Sequence, residues 1–270
     1  MAKVRLDLHL VEKNLVDSRS LAQRLVMAGD VLINGEKALK ASQKIDEDAI
    51  IEILHGPKYV SRGGEKLEAG LIHFNLTNLV GKICVDIGSS TGGFTDCLLQ
   101  HGAEKVFAVD VGYGILHWKI RNDERVVVME RTNARNIKNF PEVINLVTID
   151  ASFISLKILL PVVKNWLNSG SQIIALIKPQ FEAGRKDAAK GAGVIRNHEI
   201  HQKILQDVLE FAIQEGFEFV DLIQSPLKGP KGNIEFLCHL SLSENSLVVL
   251  EKNEEKLKFS INELLNTLQE

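Results

Sequence analysis

From about residue 83 onward, apolar residues fall into short uninterrupted runs separated by longer amphipathic stretches. Such runs are the mark of strands buried on both faces of a sheet, with helices between them. They predict strands near 83–87, 105–110, 126–129, 145–149, 172–177, 218–223 and 234–241, and helices near 93–101, 114–121, 155–168 and 199–215. The last two strands are joined by a Pro/Gly-rich stretch, 225–233, with no helix, so they should pair antiparallel. The predicted fold class is α/β: a Rossmann-like, mostly parallel seven-stranded sheet with an antiparallel last strand, over residues 65–245. In the tail, 246–270, Leu257, Ile261, Leu264, Leu265 and Leu268 share one side of an amphipathic helix.

The first 56 residues follow another pattern. Leu6, Leu8, Leu10 and Val11 surround a short helix, Asp17-Ser18 can cap a second one, and Gly29 stands where a left-handed stop belongs. Val31-Leu32-Ile33-Asn34-Gly35-Glu36-Lys37 reads as a hairpin turned by Asn-Gly, and residues 49–54 add a closing strand. Residues 1–56 are thus a small α+β unit, too small for an enzyme site of its own. A linker follows at 57–64, where Pro57, Gly63 and Gly64 break regular structure.

Composition narrows the class. With 45% hydrophobic and 25% charged residues the chain should fold into a globular protein. A net charge of −3 gives nucleic-acid binding no global support, so any such role must rest on local patches. The three cysteines, Cys84, Cys97 and Cys238, are far apart and form no Cys-x-x-Cys pair, so no metal or redox site is expected. The N-terminus is too charged for a secretory signal and the longest apolar runs are strand-sized, which together predict a cytoplasmic protein without membrane contact.

The chemistry concentrates at predicted strand ends. Val85-Asp86-Ile87-Gly88-Ser89-Ser90-Thr91-Gly92-Gly93-Phe94 is a strand, a glycine-rich turn and a helix start, a geometry that lets backbone approach a ligand. It is not the Gly-x-Gly-x-x-Gly of hydride-transfer enzymes. Asp110 ends the second strand and is placed to hold a ribose. Together these favour a nucleoside cofactor, S-adenosyl-L-methionine. The expected cofactor residues are Asp86 (near the ammonium), Gly88, Ser89, Ser90, Thr91, Gly92, Gly93, Asp110, Val111, Gly112, Asn133 (near the adenine) and Asp150. Ligands in doubly wound sheets lie beyond the carboxyl ends of the strands, where Asp150 and Lys178 also fall. Glu235 lies in the last apolar run, where mutual pairing with Lys178 would explain its tolerance, and Lys66 precedes the domain.

These runs carry a family resemblance. Ser61-Arg62-Gly63-Gly64-Glu65-Lys66-Leu67, the glycine turn, Asp110-Val111-Gly112-Tyr113-Gly114, Glu130-Arg131-Thr132-Asn133-Ala134-Arg135, Lys178-Pro179-Gln180-Phe181-Glu182 and Gly229-Pro230-Lys231-Gly232-Asn233-Ile234-Glu235-Phe236 occur in the order found in the TlyA-type hemolysin A family. The chain resembles that family over nearly its whole length: an S4-like (alpha-L) RNA-binding unit fused to an FtsJ-like (RrmJ-type) methyltransferase. The reversed last strand agrees with class I methyltransferases. The resemblance implies a Lys-Asp-Lys-Glu tetrad, which maps onto catalytic Lys66, Asp150, Lys178 and Glu235. It also implies 2′-O-methylation of ribosomal RNA, at cytidine, with ribosomal RNA or ribosomal subunits as partner. Two positions depart from the pattern: Pro57-Lys58-Tyr59-Val60 replaces the Arg-x-Trp-Val of some relatives, and Ser89 stands where alanine is common.

Lysines and arginines could supply the RNA contacts. In the first unit Arg5, Arg19, Arg24, Lys37, Lys40 and Lys44 could form a phosphate-binding face, among enough acids to leave its net charge near zero. In the larger domain Arg185, Lys186, Lys190 and Arg196 stud a loop after Lys178, and Lys228 and Lys231 precede Glu235. Because the 2′-hydroxyl distinguishes RNA from DNA, the tetrad and these loops point to one substrate. Two rival functions stand beside this one: an RNA-binding ribosome-assembly factor without activity, and a membrane-lytic hemolysin.

Overall fold

The computed structural model describes residues 3–16, 18–54, 56–183, 193–229, 231–242 and 246–267. The chain divides into two compact units, Met1–Lys58 and Tyr59–Glu270.

In the first unit the elements are β1 (Lys3–Arg5), α1 (Leu6–Glu12), α2 (Arg19–Ala28), β2 (Val31–Ile33), β3 (Glu36–Lys37), β4 (Lys44–Asp46) and β5 (Ile51–Ile53). Ser18 caps α2 by accepting a hydrogen bond from the Leu21 N–H, and Gly29 ends it at φ 78°. Asn34 and Gly35, both at positive φ, turn the β2–β3 hairpin. Leu6, Leu10, Leu25, Val31 and Ile45 fill the core. The pairing of β1 with β4 was not anticipated, because strands of three residues carry no readable alternation. Asp7 is fully buried, and its carboxylate accepts from Arg5 Nε at 3.0 Å, Arg19 Nε at 2.8 Å and Gln23 Nε2 at 3.3 Å. Two arginines expected on a phosphate-binding face therefore clamp a buried acid.

In the second unit the elements are α3 (Gly63–His73), β6 (Ile83–Ile87), α4 (Gly93–Gln100), β7 (Lys105–Val109), α5 (Trp118–Arg121), β8 (Val126–Met129), β9 (Ile144–Ile149), α6 (Leu156–Lys164), β10 (Leu167–Ile177), α7 (Pro179–Glu182), α8 (His198–Gln214), β11 (Phe217–Gln224), β12 (Phe236–Leu242) and α9 (Ser246–Thr267). The strand order is β11-β12-β10-β9-β6-β7-β8, with β12 antiparallel to both of its neighbours and β6 to β10 parallel. Alternation along each strand feeds two cores. Val85 and Ile87 face α6 and α8 on one side, while Cys84 packs with α3 and α4 on the other. Leu257 and Ile261 of α9 are buried in the first core, and α9 packs on α8 and β11. Leu268, the last residue of the predicted stripe, lies outside the described residues. Several boundaries differ from expectation: Gly63 and Gly64 open α3 instead of breaking structure in a linker, and β12 begins at Phe236, which leaves Glu235 just outside the last strand. α5 is a single turn because Gly114, at φ 71°, interrupts the preceding stretch, and β10 begins at Leu167 through an irregularity around Gly170 at φ 82°.

All three cysteines are buried and outside any disulfide, and burial pushes the Cys84 and Cys238 thiols up to about 12.

The Arg5 hydrogen bond, followed by those of Arg19 and Gln23, holds the Asp7 carboxyl well below the usual carboxylate range despite its burial. A carboxyl so depressed stabilises the fold above its unfolded pKa and loses that contribution as pH falls through the folded one. Asp7→Asn is therefore expected to lower the melting temperature of the first unit at neutral pH, with the difference fading in strong acid, as read by calorimetry.

Candidate active site

The glycine turn after β6 is shaped by close approach. Gly88 has φ 82°, and a Cβ there would stand 2.7 Å from the Asp150 carbonyl oxygen. The turn is tied to β7, because the Gly88 and Ser89 N–H groups both donate to the Val109 carbonyl, at 2.8 and 3.2 Å. Gly92 sits at the start of α4 with φ 94°, a left-handed conformation that L side chains rarely adopt.

Asp86, expected near the ammonium of a cofactor, is fully buried and lines neither cavity at the carboxyl edge of the sheet. Its two oxygens accept from the Thr95 hydroxyl of α4 at 2.7 Å and the Thr148 hydroxyl of β9 at 3.0 Å. Asp86 thus braces the turn from beneath. Burial raises its carboxyl to about 7, against the lowering pull of both threonines.

Beyond the turn, a cavity of about 400 Å³ is lined by Gly88, Ser90, Asp110, Asn133 and Asp150 together with apolar Val109, Ile154 and Leu159. Asp110 closes it at the β7 end. Its Oδ2 accepts from the Ser90 N–H at 2.8 Å and its Oδ1 from the Gly112 N–H at 2.7 Å, leaving acceptor capacity on each oxygen. Val111 is exposed on the cavity rim, and Asn133 uses its side-chain oxygen to cap the turn at 134–136. The size, the acid at one end and the apolar walls fit a nucleoside. A second cavity of about 270 Å³ shares Gly88, Ser90 and Asp150 with the first. Ser89, Thr91 and Gly93 line it, with Arg62, Lys66 and Lys228 contributing positive charge.

Of the tetrad, Asp150 lines both cavities and Lys66 the second, while Lys178 and Glu235 line neither and reach them through these two partners. Asp150 follows β9, Lys178 follows β10, Glu235 precedes β12, and Lys66 lies in the first turns of α3. Since Ile177 pairs with Phe236, the antiparallel register carries Lys178 and Glu235 to adjoining positions. The expected pairing of Glu235 with Lys178 does not form. Glu235 binds Lys66, with Oε2 2.6 Å from Nζ, while Lys178 Nζ lies 2.5 Å from Asp150 Oδ1. The second contact is an ion pair without hydrogen-bond alignment, and Lys178 donates further to the Asp150 carbonyl at 3.3 Å and Ser152 Oγ at 3.1 Å. Gln180 Nε2 reaches Glu235 Oε1 at 3.5 Å.

Among the basic candidates, Arg24, Lys37, Lys40, Lys44, Arg196, Lys228 and Lys231 are exposed, and Lys228 lines the second cavity. Arg5 and Arg19 are committed to Asp7, although their side chains remain partly exposed. Arg185, Lys186 and Lys190 lie outside the described residues. Sequence reasoning did not single out Arg62, Ser152, Phe153 or Gln180. Arg62 stood within a quoted motif and could have been found; Phe153, at φ 63° and 91% exposed, has no local sequence signal.

The chain matches the model of FtsJ-like methyltransferases over residues 59–242 and that of the S4 domain over residues 4–51. The fold and site define a class I methyltransferase, a class whose methyl donor is S-adenosylmethionine, preceded by an S4 unit. The chain belongs to the hemolysin A (TlyA) family of such two-part proteins. It is 45% identical over 239 residues to hemolysin A of Brachyspira hyodysenteriae, covering 87% of this chain and 99% of that protein. It is 38% identical over 267 residues to the 16S/23S rRNA (cytidine-2'-O)-methyltransferase TlyA of Mycobacterium tuberculosis, covering 97% and 98%. A solved structure from Streptococcus thermophilus, 42% identical, superposes with a TM-score of 0.71 and covers 100% of this chain and 98% of that one. No helix among the described residues is long and apolar enough to cross a membrane.

Because the folded pKa of Asp86 lies above the ordinary value, the unfolded chain ionises first as pH rises, and stability falls between about pH 4 and pH 7. Asp86→Asn keeps one acceptor and one donor for the two threonines without a charge. It is expected to melt higher than the native protein at about pH 8 and to lose that advantage at about pH 5 in thermal denaturation.

Proposed function

We infer that the protein methylates the 2′-hydroxyl of a ribose, at cytidine, in ribosomal RNA, with S-adenosylmethionine as donor. The observation that carries this reading is that Asp150, paired with Lys178, lines both the nucleoside-shaped cavity and the cationic one, while Lys66, paired with Glu235, lines the cationic one. Such a wall is where a cofactor and an incoming phosphodiester would meet. The name of the Mycobacterium tuberculosis relative supports the cytidine and the ribosomal RNA.

The donor supplies a methyl carbon activated by a positive sulfur. Asp110 holds ribose hydroxyls, the Gly88–Gly93 turn follows the cofactor backbone, and Asn133 flanks the base. A 2′-hydroxyl attacks well only as it sheds its proton. Lys178, once its ammonium has released a proton to solvent, accepts the proton of the hydroxyl and returns to the ammonium form that three oxygens (Asp150 Oδ1, the Asp150 carbonyl and Ser152 Oγ) surround. Lys66, oriented by Glu235, lines the cationic cavity with Arg62 and Lys228 and holds the sugar-phosphate side. Alignment of oxygen, carbon and sulfur supplies much of the acceleration, which rigid strand ends are suited to provide. The S4 unit adds RNA contacts through Arg24, Lys37, Lys40 and Lys44, all exposed.

Lys178→Ala is expected to lower methyl transfer by at least about a hundredfold while leaving donor affinity within a few-fold. Labelled S-adenosylmethionine incubated with separate ribosomal subunits, with mapping of the modified nucleotide, measures the first; calorimetry measures the second. Native turnover in that variant would remove Lys178 from the reaction.

A further inference from the structure

Residues 150–156 form a strap that joins β9 to α6 and makes one wall of the nucleoside-shaped cavity through Asp150, Ala151, Ser152, Phe153 and Ile154. The strap is not relaxed. Phe153 occupies φ 63°, which a bulky side chain rarely adopts, and its ring projects outward against Phe181 at 4.9 Å between centroids. A strained backbone persists only where its surroundings over-determine it.

Both restraints on this strap come from one short segment. At its start, Lys178 holds Asp150 and Ser152. At its end, Glu182, on the turn of α7 that Lys178 opens, accepts from Ser155 Oγ at 2.5 Å and from the Leu156 N–H at 2.8 Å. Ser155 in turn caps α6 by accepting from the Lys157 N–H at 3.2 Å. The carboxylate therefore meets a free N–H at the start of a nine-residue helix and the hydroxyl of that helix's own cap. Burial raises the Glu182 carboxyl above its ordinary value, so the group sits there against a desolvation cost.

We propose that Glu182 is a positioning residue for methyl transfer: by locking Ser155 and Leu156 it holds the strained strap in the form that sets Asp150 and Ser152 on Lys178 and closes the cofactor wall. This rests on the reading of the tetrad as the methyl-transfer site. Glu182 touches neither cavity, so its effect passes entirely through the strap.

The test compares the full-length native protein with Glu182→Ala, Glu182→Gln and Ser155→Ala. Readouts are kcat at saturating donor and ribosomal subunits, donor Kd by calorimetry, and amide hydrogen exchange. Glu182→Ala removes both acceptors, and the expected fall in kcat is about ten- to a hundredfold with a weaker donor Kd. Glu182→Gln can still accept from Leu156 and donate to Ser155 Oγ, so kcat should return to within about threefold of native. Exchange should quicken over 150–156 in Glu182→Ala and stay unchanged in α8, which a general loss of stability would not do. Should Glu182→Ala fail to fold, Ser155→Ala decides, with an expected loss of a few-fold in kcat and the same local exchange. The proposal is overturned if the Ala variants keep native kcat, if Glu182→Gln falls as far as Glu182→Ala, or if exchange quickens throughout the domain. If the native protein itself methylates no ribosomal RNA, the functional reading fails, while donor Kd and exchange still judge the strap.

Discussion

A lysine ammonium withdrawn from water has to be met by an anion, and this requirement organises the carboxyl edge of the sheet. Lys66 and Lys178 are both buried. Each is matched by its own carboxylate, Lys66 by Glu235 and Lys178 by Asp150, and the four side chains arrive from four separate elements. Parallel pairing of β9 with β10 brings Asp150 beside Lys178, and antiparallel pairing of β10 with β12 brings Glu235 to the same edge. Helix α3 must then lie where Lys66 reaches Glu235. Removing Lys66, Glu235 or Asp150 leaves a buried charge without its ion-pair partner, so each pair is a structural unit as well as a chemical one.

Much of this could be read from residue patterns. The strands announced themselves because burial on two faces demands continuous apolar runs, and the loop 225–233 revealed the reversed strand because no helix was available for a crossover. Membership of the tetrad followed from family motifs. That Glu235 meets Lys66 and not Lys178 did not, since it depends on the β10–β12 register and the seat of α3. The partners of Asp86 were hidden for a related reason, because Thr95 and Thr148, nine and sixty-two residues away, enclose it only in the fold. In the first unit, counting charges could not reveal that Asp7 engages Arg5 and Arg19. The strain at Phe153 is a property of its surroundings and leaves no trace in the local sequence.

The approach of Gly88 to the Asp150 carbonyl makes one thin wall serve two cavities. A side chain at position 88 would thicken that wall from within. On the proposed reading the donor's carbon passes between the two compartments, and the thickness of the partition then limits how closely the reacting atoms can line up. Glycine here is a matter of distance as much as of backbone freedom.

The sheet order also constrains when this machinery can exist. Strand β12 is threaded between β10 and β11 although it is made after both. While a nascent chain ends anywhere before residue 235, β10 has an unmatched border, β11 has no neighbour, and Lys66 has no acid to receive it. Long-range pairings of this kind form late and slowly. Glu235, the last of the four tetrad residues to leave the ribosome, therefore completes the second ion pair, and a chain terminated before it would carry the cofactor turn with Lys66 unmatched.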